Sequence, residues 1–406
     1  MTSSRPSWWA LGWLCAAAWA LSFPLVSTLD THRLWGWCAA AGYLGAACAT
    51  GLRRPRAALP LALAGAVVVP LLYLVWTGQG QSEVAVIERS GRLLLESGSP
   101  YVDRPGRVEE YTPYLPGMAL FGIPRAVLGE SGWLPRLLGD ARIWCAAALL
   151  GGMCGGRRLL GERSPGRGGL VLLLVASPVV ALPLAVSGVD LPLAGLCCLA
   201  LAAAASGRPA LAGVVLAAVC AVKWTAWPAV PVAVALLAAA YGWRAAVRCG
   251  AIAAAGTAVA VLPAALLQPA ELVRQVFAFP TGRAEVATPA RSPLPGRLIS
   301  ELGPCGWWVT VALLLLGGTA VAVSLVLRPP RTVVAAADRL AVGLTVAFLF
   351  APAGRFGYLA LPVVLVLWAR SAAPADAVPL PSRVVAGSSV SVQAAPAGPY
   401  RAPAGG

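Results

Sequence analysis

Apolar runs of about 20 residues, most of them ended by Arg or Pro, recur along most of this chain. That is the length a helix needs to cross about 30 Å of hydrocarbon. A backbone inside lipid must satisfy its own hydrogen bonds, so such runs form helices. The pattern predicts membrane-crossing helices at 8–29, 34–51, 57–77, 139–156, 168–186, 190–206, 209–226, 228–243, 249–268, 306–327, 334–352 and 356–370. This is an all-α integral membrane protein of about 12 spans, within a range of 10–13. The first apolar run continues too far for a cleaved signal peptide and reads as a retained helix.

Two stretches are too polar to cross. They define a large loop at 78–138 and a second at 269–304, within a polytopic domain of 1–372. In the large loop, Glu83 to Ser97 has helical character, with Val84, Ile87, Leu94 and Leu95 as its apolar stripe. Gly98-Ser99-Pro100 stops it. Tyr114 to Pro124 is apolar, short and bracketed by prolines, which suits an interfacial or re-entrant helix. The tail 373–406, rich in Ala, Pro, Ser and Gly, has no means of burying a core and is expected to be disordered. No internal repeat is visible.

Composition closes off the soluble alternative. Only 12% of residues are charged, against about 25% in a soluble chain. The net charge of +15 reads as membrane topology rather than nucleic-acid binding. With the N-terminus inside, the short inner connections hold twelve Arg residues, from Arg53 to Arg331, while the short outer ones hold only Arg33 and Arg355. Positive residues mark the cytoplasmic side, so both termini are expected in the cytoplasm of a plasma-membrane protein, with both large loops outside. Most acids then fall on the outer side, which places any chemistry there. The cysteines sit mostly in apolar runs, and His32 is the sole histidine. No metal site and no cofactor are expected.

The candidate chemistry lies along the outer rim. Glu83 and Glu88 open the large loop. A carboxylate there can take the proton of an acceptor hydroxyl, and the same charges also suit a solvated interfacial helix. Arg89 and Lys223 are candidate phosphate ligands, with snorkelling and lipid headgroups as the ordinary alternatives. Lys223 could equally meet a carboxylate such as Glu83. Arg355 breaks the positive-inside bias and suits a phosphate leaving group, or a bridge to Asp190. Tyr101, Tyr111 and Tyr114 could line a sugar or lipid site or form an interfacial belt. Asp190 stands at the outer end of a helix, where a charge needs a partner or a function. No P-loop, dinucleotide fingerprint or serine elbow is present.

In order along the chain come an acid opening the first large outer loop, Gly98-Ser99-Pro100-Tyr101, Tyr111-Thr112-Pro113-Tyr114-Leu115-Pro116-Gly117, Ser187-Gly188-Val189-Asp190, Arg208 through Lys223, Ser292-Pro293-Leu294-Pro295-Gly296, and Arg355-Phe356-Gly357-Tyr358. This series, over roughly residues 60–370, resembles the GT-C glycosyltransferases. It is most similar to the actinobacterial branch of glycosyltransferase family 87, the polyprenyl-phosphate-mannose-dependent mannosyltransferases. The resemblance implies inverting sugar transfer from a polyprenyl-phosphate donor to a lipid or cell-envelope glycan acceptor on the extracytoplasmic face, without a strictly required metal. It implies a loop carboxylate as base; the matching position is Glu83, where the family usually carries Asp, with Glu88 as the second candidate. Arg89, Lys223 and Arg355 would then surround the phosphate, and Tyr101, Tyr111, Tyr114 and Asp190 the substrate pocket. A transporter or flippase, or a non-catalytic envelope-assembly protein, would fit the same composition. Charges at the rim rather than mid-helix favour the enzyme.

Overall fold

The structure is a computed structural model that describes residues 5–161 and 165–372. The tail 373–406, expected to be disordered, lies outside the described residues, as do Glu162 and Arg163 of an expected inner connection. The described residues contain no strand, only helices, turns and an isolated bridge between Arg291 and Gly354.

The chain is an all-α membrane protein. Six helices are long and apolar enough to cross by themselves: Trp8–Val26, Pro55–Trp76, Trp224–Tyr241, Trp243–Leu267, Pro304–Leu327 and Val333–Phe350. Two more spans arise if bent pairs are joined. Trp133–Gly139 meets Ala141–Leu159 at 51°, and Gly169–Ala176 meets Pro178–Val186 at 67°. Pro178 supplies the second break, because it cannot donate to the preceding turn. Length and composition therefore give six to eight spans among the described residues, below the expected twelve. All twelve expected stretches are helical, but Leu191–Ala205, Pro209–Val222 and Phe356–Ala372 are short, and Asp30–Gly51 opens with Asp30, His32 and Arg33. Leu191–Ala205 is buried along nearly its whole length, so its apolar character faces protein rather than lipid.

An N-terminal pair, Arg5–Val26 and Asp30–Gly51, packs against Pro55–Trp76. Inside that third helix the residues Ala64–Val68 form a π turn. Pro70 lacks the N–H that would bond the carbonyl four residues back, at Ala66. The Trp35 indole takes that carbonyl instead, at 2.8 Å, and the proline's defect becomes a tie between two helices.

The large loop begins with the helix Ser82–Ser97, which stops at Gly98 in a left-handed conformation (φ 76°), as its sequence predicts. Its buried face is Val84, Ile87, Ser90 and Gly91, while Leu95 is exposed. The apolar stripe thus ends earlier than expected. The reason is a close crossing: a Cβ on Gly91 would lie 2.3 Å from the Gly122 carbonyl carbon, so only glycine admits the neighbouring backbone. The expected re-entrant segment is a 3-10 helix, Pro116–Phe121, followed by Ile123–Leu128. Tyr114, Leu115 and Met118 are buried, and the Leu115 N–H bonds the Val222 carbonyl at 3.0 Å. This segment docks on the C-terminal end of Pro209–Val222, and so beside Lys223.

Candidate active site

The helix ends that carry the two large loops bring two ion pairs together. Glu83 lies in the first turn of Ser82–Ser97, after a short link from Pro55–Trp76. Arg355 lies in the turn between Val333–Phe350 and the 3-10 segment Phe356–Leu359. A guanidinium nitrogen of Arg355 donates directly to the Glu83 carboxylate, although 272 positions separate them. The Glu83 side chain is 14% exposed and that of Arg355 34%, so the pair sits in a cleft rather than free in solvent.

The Arg355 turn is held by the second large loop. The Gly354 N–H bonds Ala290 O, the Ser292 N–H bonds Gly354 O, both at 3.0 Å, and the Phe356 N–H bonds Ser292 Oγ at 3.2 Å. The Ser292 and Arg355 motifs, 63 positions apart, thus form one piece of structure.

Lys223 ends Pro209–Val222 in an extended conformation; a short 3-10 turn, Trp224–Ala226, follows, and Pro228 immediately precedes the next helix, Ala229–Tyr241. The Lys223 ammonium donates to Asp190 at 2.7 Å and stands 4.7 Å from the Tyr358 ring centre and 5.7 Å from that of Tyr114. With 12% of the side chain exposed, it is held by a carboxylate and two aromatic faces rather than snorkelling to water. The partner is Asp190 and not Glu83; Arg355 takes Glu83 and not Asp190. Burial first, then the nearby charges of Glu83 and Asp190, raises the Tyr114 phenol well above its usual range. It is therefore a neutral hydrogen-bonding group between the two pairs.

Glu88 belongs to a different network. It accepts from Arg125 Nε at 3.1 Å and from the Ala141 N–H at 3.2 Å. Arg125 approaches Asp140 at 4.0 Å. Asp140 caps Ala141–Leu159 through the Arg142 N–H and holds the Arg142 guanidinium at 2.7 Å. Arg142 in turn donates to Ala185 O at 2.9 Å. These groups clamp the large loop to two helices. Burial, opposed by Arg125, raises the Glu88 carboxyl above the usual carboxylate range.

The other candidates also serve the loop. Arg89 donates to the carbonyls of Glu109 and Glu110, at 2.5 and 3.1 Å. Tyr101 donates to Tyr114 O at 3.1 Å. Tyr111 stacks on Phe279 with ring centres 4.3 Å apart, joining the two large loops. The structure therefore brings together Glu83, Arg355, Lys223, Asp190 and Tyr114, and leaves Glu88, Arg89, Tyr101 and Tyr111 in the loop's own scaffold. Three residues of the cleft had no assigned role from sequence: Tyr358, Gln81 and His32. Their signals were faint, namely a motif tyrosine, a polar residue before a helix, and a sole histidine. Among the described residues, no group of three or more His, Cys, Asp or Glu side chains is arranged to hold a metal ion.

The profile of glycosyltransferase family 87 matches residues 111–352, more than half of the chain. This chain belongs to glycosyltransferase family 87. It is a membrane glycosyltransferase. The matched region includes Tyr114, Asp190 and Lys223, while Glu83 and Arg355 flank it on either side. No curated protein matches the chain. Chemically, the cleft brings together a carboxylate able to accept a proton, two cations able to meet an anionic group, and two aromatic faces.

Proposed function

We propose that this family 87 enzyme transfers a mannosyl group from polyprenyl-phosphate-mannose to a lipid-linked or cell-envelope glycan acceptor, on the extracytoplasmic face of the plasma membrane. The observation that supports this most directly is the pair of ion pairs, Glu83–Arg355 and Lys223–Asp190, meeting around Tyr114 at the outer end of the helices. The donor's phosphodiester draws Arg355 and Lys223 toward itself. This frees Glu83, which takes the proton of the acceptor hydroxyl as its oxygen attacks C1. The C1–O bond to phosphate breaks, polyprenyl phosphate leaves with both electrons of that bond, and the anomeric configuration inverts. Arg355 offers a planar fork to phosphate oxygens and Lys223 a point charge.

The test is transfer of radiolabelled mannose from polyprenyl-phosphate-mannose into lipid or glycan, by membranes holding the wild type or Glu83→Gln at equal expression. General-base assistance contributes about 10²–10⁴-fold, so the variant is expected to lose at least about 10²-fold. Equal transfer by both proteins would remove Glu83 from the role. No transfer by the wild type would overturn the donor assignment.

A further inference from the structure

We infer that His32 is a positioning residue for Glu83, through which the N-terminal helix pair takes part in the active site. The inference rests on the reading of Glu83 as general base. His32 lies on the first turn of Asp30–Gly51, well outside the family-matched region, yet it is bound at every polar atom of its ring. The Gln81 side-chain nitrogen is 2.5 Å from Nε2. Ser27 Oγ is 3.3 Å from Nδ1 and also accepts the Leu29 N–H at 3.2 Å. The ring meets Phe23 edge-on, with centres 5.6 Å apart. With the Gln81 amide donating to Nε2, the neutral ring carries its proton on Nδ1 and gives it to Ser27.

Gln81 is the hinge of this argument. It is the residue at which the chain turns from extended backbone into Ser82–Ser97. Its own N–H bonds Val186 O at 2.9 Å, and its carbonyl accepts the Val84 N–H at 3.0 Å. The side chain bound to His32 is the third fixed point. Two residues later stands Glu83, so the direction of its carboxylate is set by how Gln81 is held. Misplacing a reacting group by about 1 Å can cost about 10²-fold in rate. The charged groups around the ring are Asp30 and Arg33 on its own helix, 3.9 Å apart, with Glu83 and Arg355 from the facing elements. The Phe23 helix presents an aromatic edge to it.

Two measurements test this on the full-length protein. The first is steady-state transfer by His32→Phe, which keeps the ring and removes both hydrogen bonds, and by His32→Gln, which keeps an acceptor for Gln81. His32→Phe is expected to lower kcat by about tenfold or more, with donor KM within about twofold and an unchanged melting temperature. His32→Gln is expected to return kcat to within about threefold of wild type. Unchanged kcat in His32→Phe, or a rise in KM that accounts for the whole loss, overturns the proposal. The second needs no activity, so it remains decisive if mannosyl transfer itself is not found. Because His32 is the sole histidine, a histidine-labelled ¹⁵N spectrum reports it alone. The signal is expected to move in Gln81→Leu and in Glu83→Gln, and to stay in place in Asp338→Asn, whose ion pair with Arg370 lies at the opposite helix ends. A histidine signal indifferent to Gln81→Leu and Glu83→Gln would sink the coupling.

Discussion

Glu83 and Glu88 are one helix, five positions and the same functional group apart, yet their neighbours give them different chemistry. Glu83 faces a cation in a cleft. Glu88 is pinned by Arg125 and the Ala141 N–H, and burial raises its pKa. For a carboxyl whose folded pKa lies above its unfolded value, the contribution to stability is fullest below the unfolded value and is lost as pH rises through the folded one. Glu88→Gln should therefore keep transfer within a few-fold of wild type. Its stability relative to wild type should improve as pH is raised from about 4 to 7, since the variant lacks that loss. Melting curves across that range check this; a relative stability that worsens with rising pH would mean that Arg125 governs Glu88 more than burial does. Lys223 makes the same point in reverse. Its sequence position allows snorkelling, and Asp190 with two aromatic rings holds it in place instead.

At the scale of elements, the cleft depends on joints made by breaks in regular structure. Pro70 releases Ala66 O to Trp35, Lys223 leaves its helix early, and Asp140 turns the chain between two helical pieces. The last joint is the most heavily loaded. Arg142 is 1% exposed and bonds both Asp140 and Ala185 O. Removing one partner of a buried ion pair leaves an uncompensated charge, at a cost of about 3–5 kcal/mol. Arg142→Met should destabilise the protein by about that amount, read by denaturation in detergent. Adding Asp140→Asn should recover part of the loss, because it removes the stranded charge. If the second substitution deepens the loss, the carboxylate is serving mainly as a helix cap.

For the whole molecule, sidedness decides which solution the cleft meets. The Arg distribution predicts that the cleft and both large loops face the outside. Arg107 is highly exposed in the large loop, and Arg208 precedes Pro209–Val222 at the other end of the helices. An impermeant thiol reagent on intact cells should label Arg107→Cys above the level of the parent chain. Arg208→Cys should react only after permeabilisation. The reverse pattern would turn the molecule over and move the chemistry to the cytoplasm.

By itself the sequence determined that this is an all-α membrane protein and where its helices lie. Both follow from local rules: the length of an apolar run, the need of a backbone in lipid to bond to itself, and the interruption by Pro or Gly at positions such as Gly98. It also marked Glu83, Asp190, Lys223, Arg355 and Tyr114, since a charge or an amphipathic ring at a helix end stands out against an apolar background. Which charge meets which was decided by tertiary structure alone. Glu83 finds Arg355 across 272 positions, Lys223 finds Asp190 across 33, and His32 finds Gln81 across 49. Helical periodicity reaches three or four residues along the chain and says nothing of partners that only helix packing brings within 3 Å. The separation of Glu83 from Glu88, and of the cleft from the Arg142 clamp, came from that same packing. Two acids alike in sequence differ only in what the neighbouring helices place beside them.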